Sequence, residues 1–129
     1  MTTNNEEFSQ STITRVAGAV AVFTEVLGDL SGDAQMPMQQ IRLLLSLYVH
    51  GELLQTDLGK YTGVRGSAIS RNLSKLGGTS KEVAAGKTLG LLTAGPTEED
   101  RRFHTAKLTA KGRHVIEAAA AKAALFDPR

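Results

Sequence analysis

From Ser9 to Leu30 the apolar residues Ile13, Val16, Val20, Phe23, Leu27 and Leu30 recur at alternating intervals of three and four. That spacing predicts one long helix with a heptad seam. Ala17, Ala19 and Ala21 add helix propensity and low bulk, so another helix can approach closely. Gly32 is placed to stop the helix, and the polar residues 1–8 predict a disordered tail. Pro37 suits a first helical position, ahead of an apolar face of Ile41, Leu44, Leu45, Tyr48 and Val49 that ends at Gly51.

A short helix from Leu54 to Tyr61 follows, with Leu58 inward, then a tight turn at Thr62-Gly63-Val64. The next helix runs to about Leu76 and buries Ile69, Leu73 and Leu76. Two short helices around a glycine turn make a helix-turn-helix pattern. Within residues 77–89, Thr79-Ser-Lys-Glu82 reads as a capping box for one helical turn through Val83, Ala84 and Ala85. Leu89–Ala94 and Phe103–Leu108 predict a hairpin around Gly95-Pro-Thr-Glu-Glu-Asp100, with Arg101 and Arg102 near its tip. Thr109 caps a last helix, Ala110–Leu125, with Val115, Ile116, Ala119 and Leu125 facing inward.

Composition narrows the function classes. The 129 residues suit one domain, and the absence of cysteine excludes a disulfide framework, a zinc ribbon and thiol chemistry. No apolar run reaches the ~18 residues of a membrane span, and no cationic start precedes an apolar stretch, so a cytoplasmic protein without membrane contact is expected. Residues 1–36 hold Arg15 against five acids; the remainder holds 14 bases against 8 acids. With four Phe, two Tyr and no Trp, a base-stacking platform for single strands is disfavoured. A basic body suits duplex phosphates better.

The outer face of the second short helix is the most informative stretch. Ser67, Ser70, Arg71 and Ser74 share one stripe, Arg65 and Lys75 flank it, and no acid occurs from Arg65 to Gly78. Small hydroxyls let a helix sit deep in the major groove, and Arg can fork onto guanine. The competing reading is a solvated polar face. His50, His104 and His114 lack metal-ligand spacing, and Glu98, Glu99 and Asp100 fall on a turn. Gly86-Lys87-Thr88 lacks the earlier glycine of a phosphate-binding loop, because that position is Lys81. No catalytic site, metal or cofactor is expected.

Residues 51–76, Gly-Glu-Leu-Leu-Gln-Thr-Asp-Leu-Gly-Lys-Tyr-Thr-Gly-Val-Arg-Gly-Ser-Ala-Ile-Ser-Arg-Asn-Leu-Ser-Lys-Leu, resemble the reader-helix segment of the MarR family of bacterial transcriptional regulators. Gly90-Leu-Leu, Asp100-Arg101-Arg102 and Leu108-Thr109-Ala-Lys111-Gly112 resemble that family's wing and following helix. The resemblance implies a mainly α fold with a small β-hairpin wing, a winged helix-turn-helix with N- and C-terminal dimerisation helices. Its parts would be a dimerisation helix at 9–32, a DNA-binding region at 37–108 and a C-terminal helix at 109–129.

It further implies a homodimer on a pseudo-palindromic operator in double-stranded DNA, acting as a transcriptional regulator, chiefly a repressor. Ser67, Ser70 and Arg71 match base- and phosphate-contacting positions. Asp100 would orient Arg101 or Arg102 into the minor groove; an ion pair that only steadies the turn is the alternative. The apolar stripe from Ile13 to Leu30 would pack on a second subunit, or else on its own domain. A small-molecule effector is compatible with the family. The runner-up function is a phage- or plasmid-type accessory protein that uses a winged helix for protein contacts, replication or partition.

Three departures from the family pattern stand out. The link from Leu76 to Gly90 is about ten residues longer than usual, which would displace the wing or add contacts of its own. Arg65 stands where an acidic or polar helix start is common, which would shift the cap to Ser67 and shorten the reader helix. The chain has one C-terminal helix fewer than many members.

Overall fold

The computed structural model describes residues 9–96 and 104–127. The elements in order are α1 (Gln10–Ser31), α2 (Met38–His50), β1 (Leu53–Leu54), α3 (Gln55–Thr62), α4 (Ser67–Leu76), α5 (Ser80–Ala84), β2 (Leu92–Pro96), β3 (His104–Leu108) and α6 (Ala110–Ala124). The expected tail and the turn bearing Asp100, Arg101 and Arg102 lie outside the described residues.

The long N-terminal helix forms as its periodicity predicts. Ser9 caps it by accepting the Thr12 N–H, and Gly32 closes it in the left-handed conformation. It runs along α6, and Phe126, just past the end of α6, lies so close to α1 that a β-carbon at Gly18 would collide with its ring. The stripe does not act as one seam. Leu27 is fully buried in the chain's own core and Phe23 packs against that core, whereas Ile13, Val16, Val20 and Leu30 are exposed.

α2 begins at Met38, with Pro37 immediately ahead of it rather than inside it. It packs against α3, α4, α6 and β3, and its buried set is Gln40, Ile41, Leu43, Leu44 and Leu47. Val49, expected inward, is 73% exposed. The neighbours choose which arc of the helix is covered, and Val49 lies opposite Leu44 on the helical wheel. Leu125, also expected inward, is exposed because α6 ends at Ala124 and the helical phase is lost beyond it. Phe126 turns back onto α1 instead.

The expected hairpin is part of a three-stranded antiparallel sheet in the order β1–β3–β2. The two-residue β1 pairs Leu53 with Ala106 and Leu54 with Thr105. β2 starts at Leu92, later than the Leu89 expected, because Leu89, Gly90 and Leu91 bond to the end of α4. The Leu-Thr-x-Lys-Gly segment latches α6 onto this junction. Thr109 Oγ1 accepts the Gly112 N–H at 3.0 Å and donates to the Gly90 carbonyl at 2.8 Å. Lys111 Nζ donates to the Leu89 carbonyl at 2.9 Å, and a β-carbon at Gly112 would collide with the Leu91 carbonyl oxygen. One core joins all of this, from Leu27 through Leu43, Leu44, Leu47 and Leu58 to Leu73, Leu76, Leu91 and Ile116.

Candidate nucleic-acid interface

The turn between α3 and α4 is set by local chemistry. Thr62 Oγ1 donates to the Leu58 carbonyl at 2.8 Å and accepts the Val64 N–H at 3.3 Å, while Gly63 ends α3 in the left-handed conformation. The cap of α4 is Gly66, not Ser67; its φ of 51° and ψ of −129° are strained for residues carrying a β-carbon. Ser67 is therefore the first helical residue and keeps its hydroxyl on the outer face. Ile69, Leu73 and Leu76 bury the opposite face against the core.

A side-chain amide cluster fixes the rotation of α4 about its axis. Asn72 Nδ2 donates to Gln39 Oε1 at 3.1 Å and to the Ala68 carbonyl at 2.9 Å. Gln40 Nε2, from buried Gln40, donates to Asn72 Oδ1 at 3.2 Å. With α4 held to α2 on that side, Ser67, Ser70, Arg71, Ser74 and Lys75 are all exposed, as is Arg65 just before the helix. Arg71 Nη1 donates to Ser67 Oγ at 3.1 Å, one turn back. Arg65, Arg71 and Lys75 have no carboxylate partner among the described residues; the ion pair Lys60–Asp57, at 3.8 Å, belongs to α3.

Two grooves flank this helix. One, of about 570 Å³, runs between α3 and α4 past Gln55, Thr56, Lys60, Arg65 and Ser70. The other, of about 630 Å³, lies between Ser70, Ser74 and Lys75 on one side and Ala94 and His104 of the sheet on the other, with Gly78, Thr79 and Thr88 at its end. His104 shares a sheet face with Ala106, which is buried. Sequence reasoning missed Thr56, Lys60 and His104 as groove residues. The basic side chain in the last turn of α3 was an available signal for Lys60; His104 emerges only from the β3 register.

The long link does not displace the sheet from α4. Leu89, Gly90 and Leu91 donate backbone N–H groups to Lys75, Gly77 and Leu76 at 3.0, 2.9 and 2.7 Å, so the chain returns to where it left. The expected capping box forms, with Glu82 donating its N–H to Thr79 Oγ1 and accepting the Thr79 N–H. His50 stacks on Tyr61 with centroids 4.2 Å apart, and His104 and His114 are exposed. Among the described residues no cluster of three His, Asp or Glu could hold a metal ion. Nor is any described helix long and apolar enough to cross a membrane.

Residues 34–76 match the sequence model of the MarR family, a span that holds α2, α3 and α4. No curated protein matches the chain. Among solved structures, RV1404 from Mycobacterium tuberculosis superposes with a TM-score of 0.67 at 22% identity, covering 96% of this chain and 77% of that one. A mutant of MarR from E. coli complexed with operator DNA gives a TM-score of 0.53 at 18% identity, covering 83% and 69%. Bordetella bronchiseptica BpsR, whose DNA binding is regulated by 6-hydroxynicotinic acid, gives 0.51 at 19% identity, covering 90% and 74%. At these identities the likeness is one of fold.

Proposed function

With a MarR-family segment at residues 34–76, set in a winged helix-turn-helix fold shared with MarR-type regulators, as the premise, we propose that this chain is a sequence-specific regulator of transcription that binds double-stranded DNA as a homodimer. The observation that carries the proposal is the outer face of α4. It presents Ser67, Ser70, Arg71 and Ser74 with Arg65 and Lys75 at its margins, free of acid and pointing away from the core. A recognition helix in the major groove uses such a face, with Arg on guanine or phosphate and small hydroxyls permitting close approach. Asp100, Arg101 and Arg102 would serve the wing in the minor groove.

The dimer reading is supported by the exposed Ile13, Val16, Val20 and Leu30 on α1, an apolar strip that α6 leaves uncovered. α1 and α6 would then form the dimer layer, and residues 37–108 the DNA-binding region. A dimer seated across a promoter represses by steric exclusion of polymerase. Selection of bound fragments from random duplex DNA tests the proposal. A two-fold symmetric consensus is expected, and fragments without a shared sequence would overturn operator recognition.

A further inference from the structure

The segment between α4 and β2 is an ordered element, not slack chain. Its capping box is complete, Val83 packs over Gly90, and both ends are pinned to the last turn of α4. Its one acid is engaged internally: Glu82 Oε1 holds the Thr79 N–H at 2.8 Å. Lys81 and Lys87 are exposed. From Arg65 to Leu89 the chain carries five bases and only this acid. The family match ends at Leu76, immediately before the segment begins. The segment also supplies the end wall of the 630 Å³ groove through Gly78, Thr79, Glu82 and Thr88, beside Ser74 and Lys75.

We propose that residues 78–88 are a third DNA-contacting element, which grips the sugar-phosphate backbone beyond the C-terminal end of α4. Lys81 and Lys87 take phosphates, and Ser74, Lys75 and His104 line the seat through which the strand passes. The proposal rests on the DNA-binding reading of α4. A polyanion is favoured over a protein partner because the exposed part of the segment is small or polar, Gly, Thr, Ser, Ala, two Lys and the single Glu82. It offers no aromatic or large aliphatic anchor of the kind that dominates protein interfaces. Backbone contacts of this type add affinity and register without reading sequence.

The test uses the duplex selected by the full chain. Wild type and Lys81→Ala/Lys87→Ala are titrated across a salt series, and single phosphates of the duplex are replaced by neutral methylphosphonates. Each lost phosphate contact flattens the log–log salt slope by about 0.9, so a dimer losing two per subunit flattens by roughly 3–4. Two methylphosphonate positions per half-site that weaken wild type should leave the double variant unaffected, while base preferences stay the same. Lys87→Glu should weaken binding further than Lys87→Ala. An unchanged slope and phosphate pattern, in a wild type that binds DNA and is weakened by Arg71→Ala, would overturn the role of this segment and leave the α4 reading standing. Failure of wild type to bind any duplex would overturn both.

Discussion

Tyr48 on α2 donates its phenolic hydroxyl to Glu117 Oε2 on α6 at 2.7 Å, tying the helix that backs α4 to the helix that packs on α1. Arg113 lies over the same ring, 5.2 Å from its centroid. The Glu117 hydrogen bond, helped by partial burial and the carboxylate's charge, raises the phenol above its ordinary value of 10.0, against a smaller opposing effect of Arg113. A raised folded value means that the protonated phenol is favoured by folding. This stability is therefore fully present below about pH 10 and lost as pH rises through the folded value. Tyr48→Phe should lower the urea midpoint at pH 8, and the difference from wild type should shrink above pH 10. A difference that does not change with pH would locate the effect in packing instead of in the hydrogen bond.

Much of this arrangement is legible in the sequence because it is local. The glycine turn, the burial of Ile69, Leu73 and Leu76, and the capping box at Thr79 follow from spacing alone. What is not legible depends on partners distant in the chain. β1 is two residues long and exists only because β3 pairs with it. Val49 reads as core until α2 acquires neighbours that cover its other face. The Gln39–Asn72–Gln40 cluster reads as solvated surface, since only the meeting of α2 and α4 reveals the partners. The outer face of α4 was legible by a different route, as the remainder left once its apolar positions had been assigned.

Assembly is the second expectation. Val16 and Val20 are 56% and 54% exposed in the protomer, so acidic substitutions there should leave its fold intact. In a dimer, an unpaired carboxylate buried at either site costs several kcal/mol even after relaxation and water penetration. Sedimentation at micromolar concentration should show a wild-type dimer and a folded Val16→Asp/Val20→Asp monomer. Leu27→Asp should instead unfold the chain, because Leu27 is fully buried within one protomer. A monomeric wild type would remove the dimer from the proposed function.

The α6 latch gives a third expectation. Gly112 sits against the Leu91 carbonyl, a backbone group that cannot rotate away as a side chain would. Gly112→Ala should therefore destabilise the fold by about 1–3 kcal/mol, the usual penalty of overpacking. Its gain in helix propensity, up to about 1 kcal/mol, is too small to reverse the sign. Urea denaturation measures the difference, and a stabilised variant would mean that α6 and the Leu91 backbone stand further apart than described.

Arg71 and Asn72 are adjacent on α4, about 100° apart around its axis, with Arg71 exposed and Asn72 bonded to α2, which makes them a controlled pair for locating the DNA surface. Arg71 is exposed and reaches only Ser67 Oγ, a weak tether that orients the guanidinium along the helix without neutralising it. Arg71→Ala should leave folding stability nearly unchanged and cost roughly 1–3 kcal/mol in operator affinity. If its contact is to guanine, discrimination should relax at one position in each half-site, with half-sites one helical turn, roughly 34–36 Å, apart. Asn72 bonds to Gln39, Gln40 and the Ala68 carbonyl. Asn72→Ala leaves the amide of buried Gln40 without that partner, and an unsatisfied buried polar group costs about 1–3 kcal/mol. It should lower stability and, by loosening α4 against α2, weaken binding evenly across base substitutions instead of at one position. A panel of single-base operator variants, read against urea melts of both proteins, separates the two. Position-selective loss in Asn72→Ala, with uniform loss or none in Arg71→Ala, would mean that α4 meets DNA through another face.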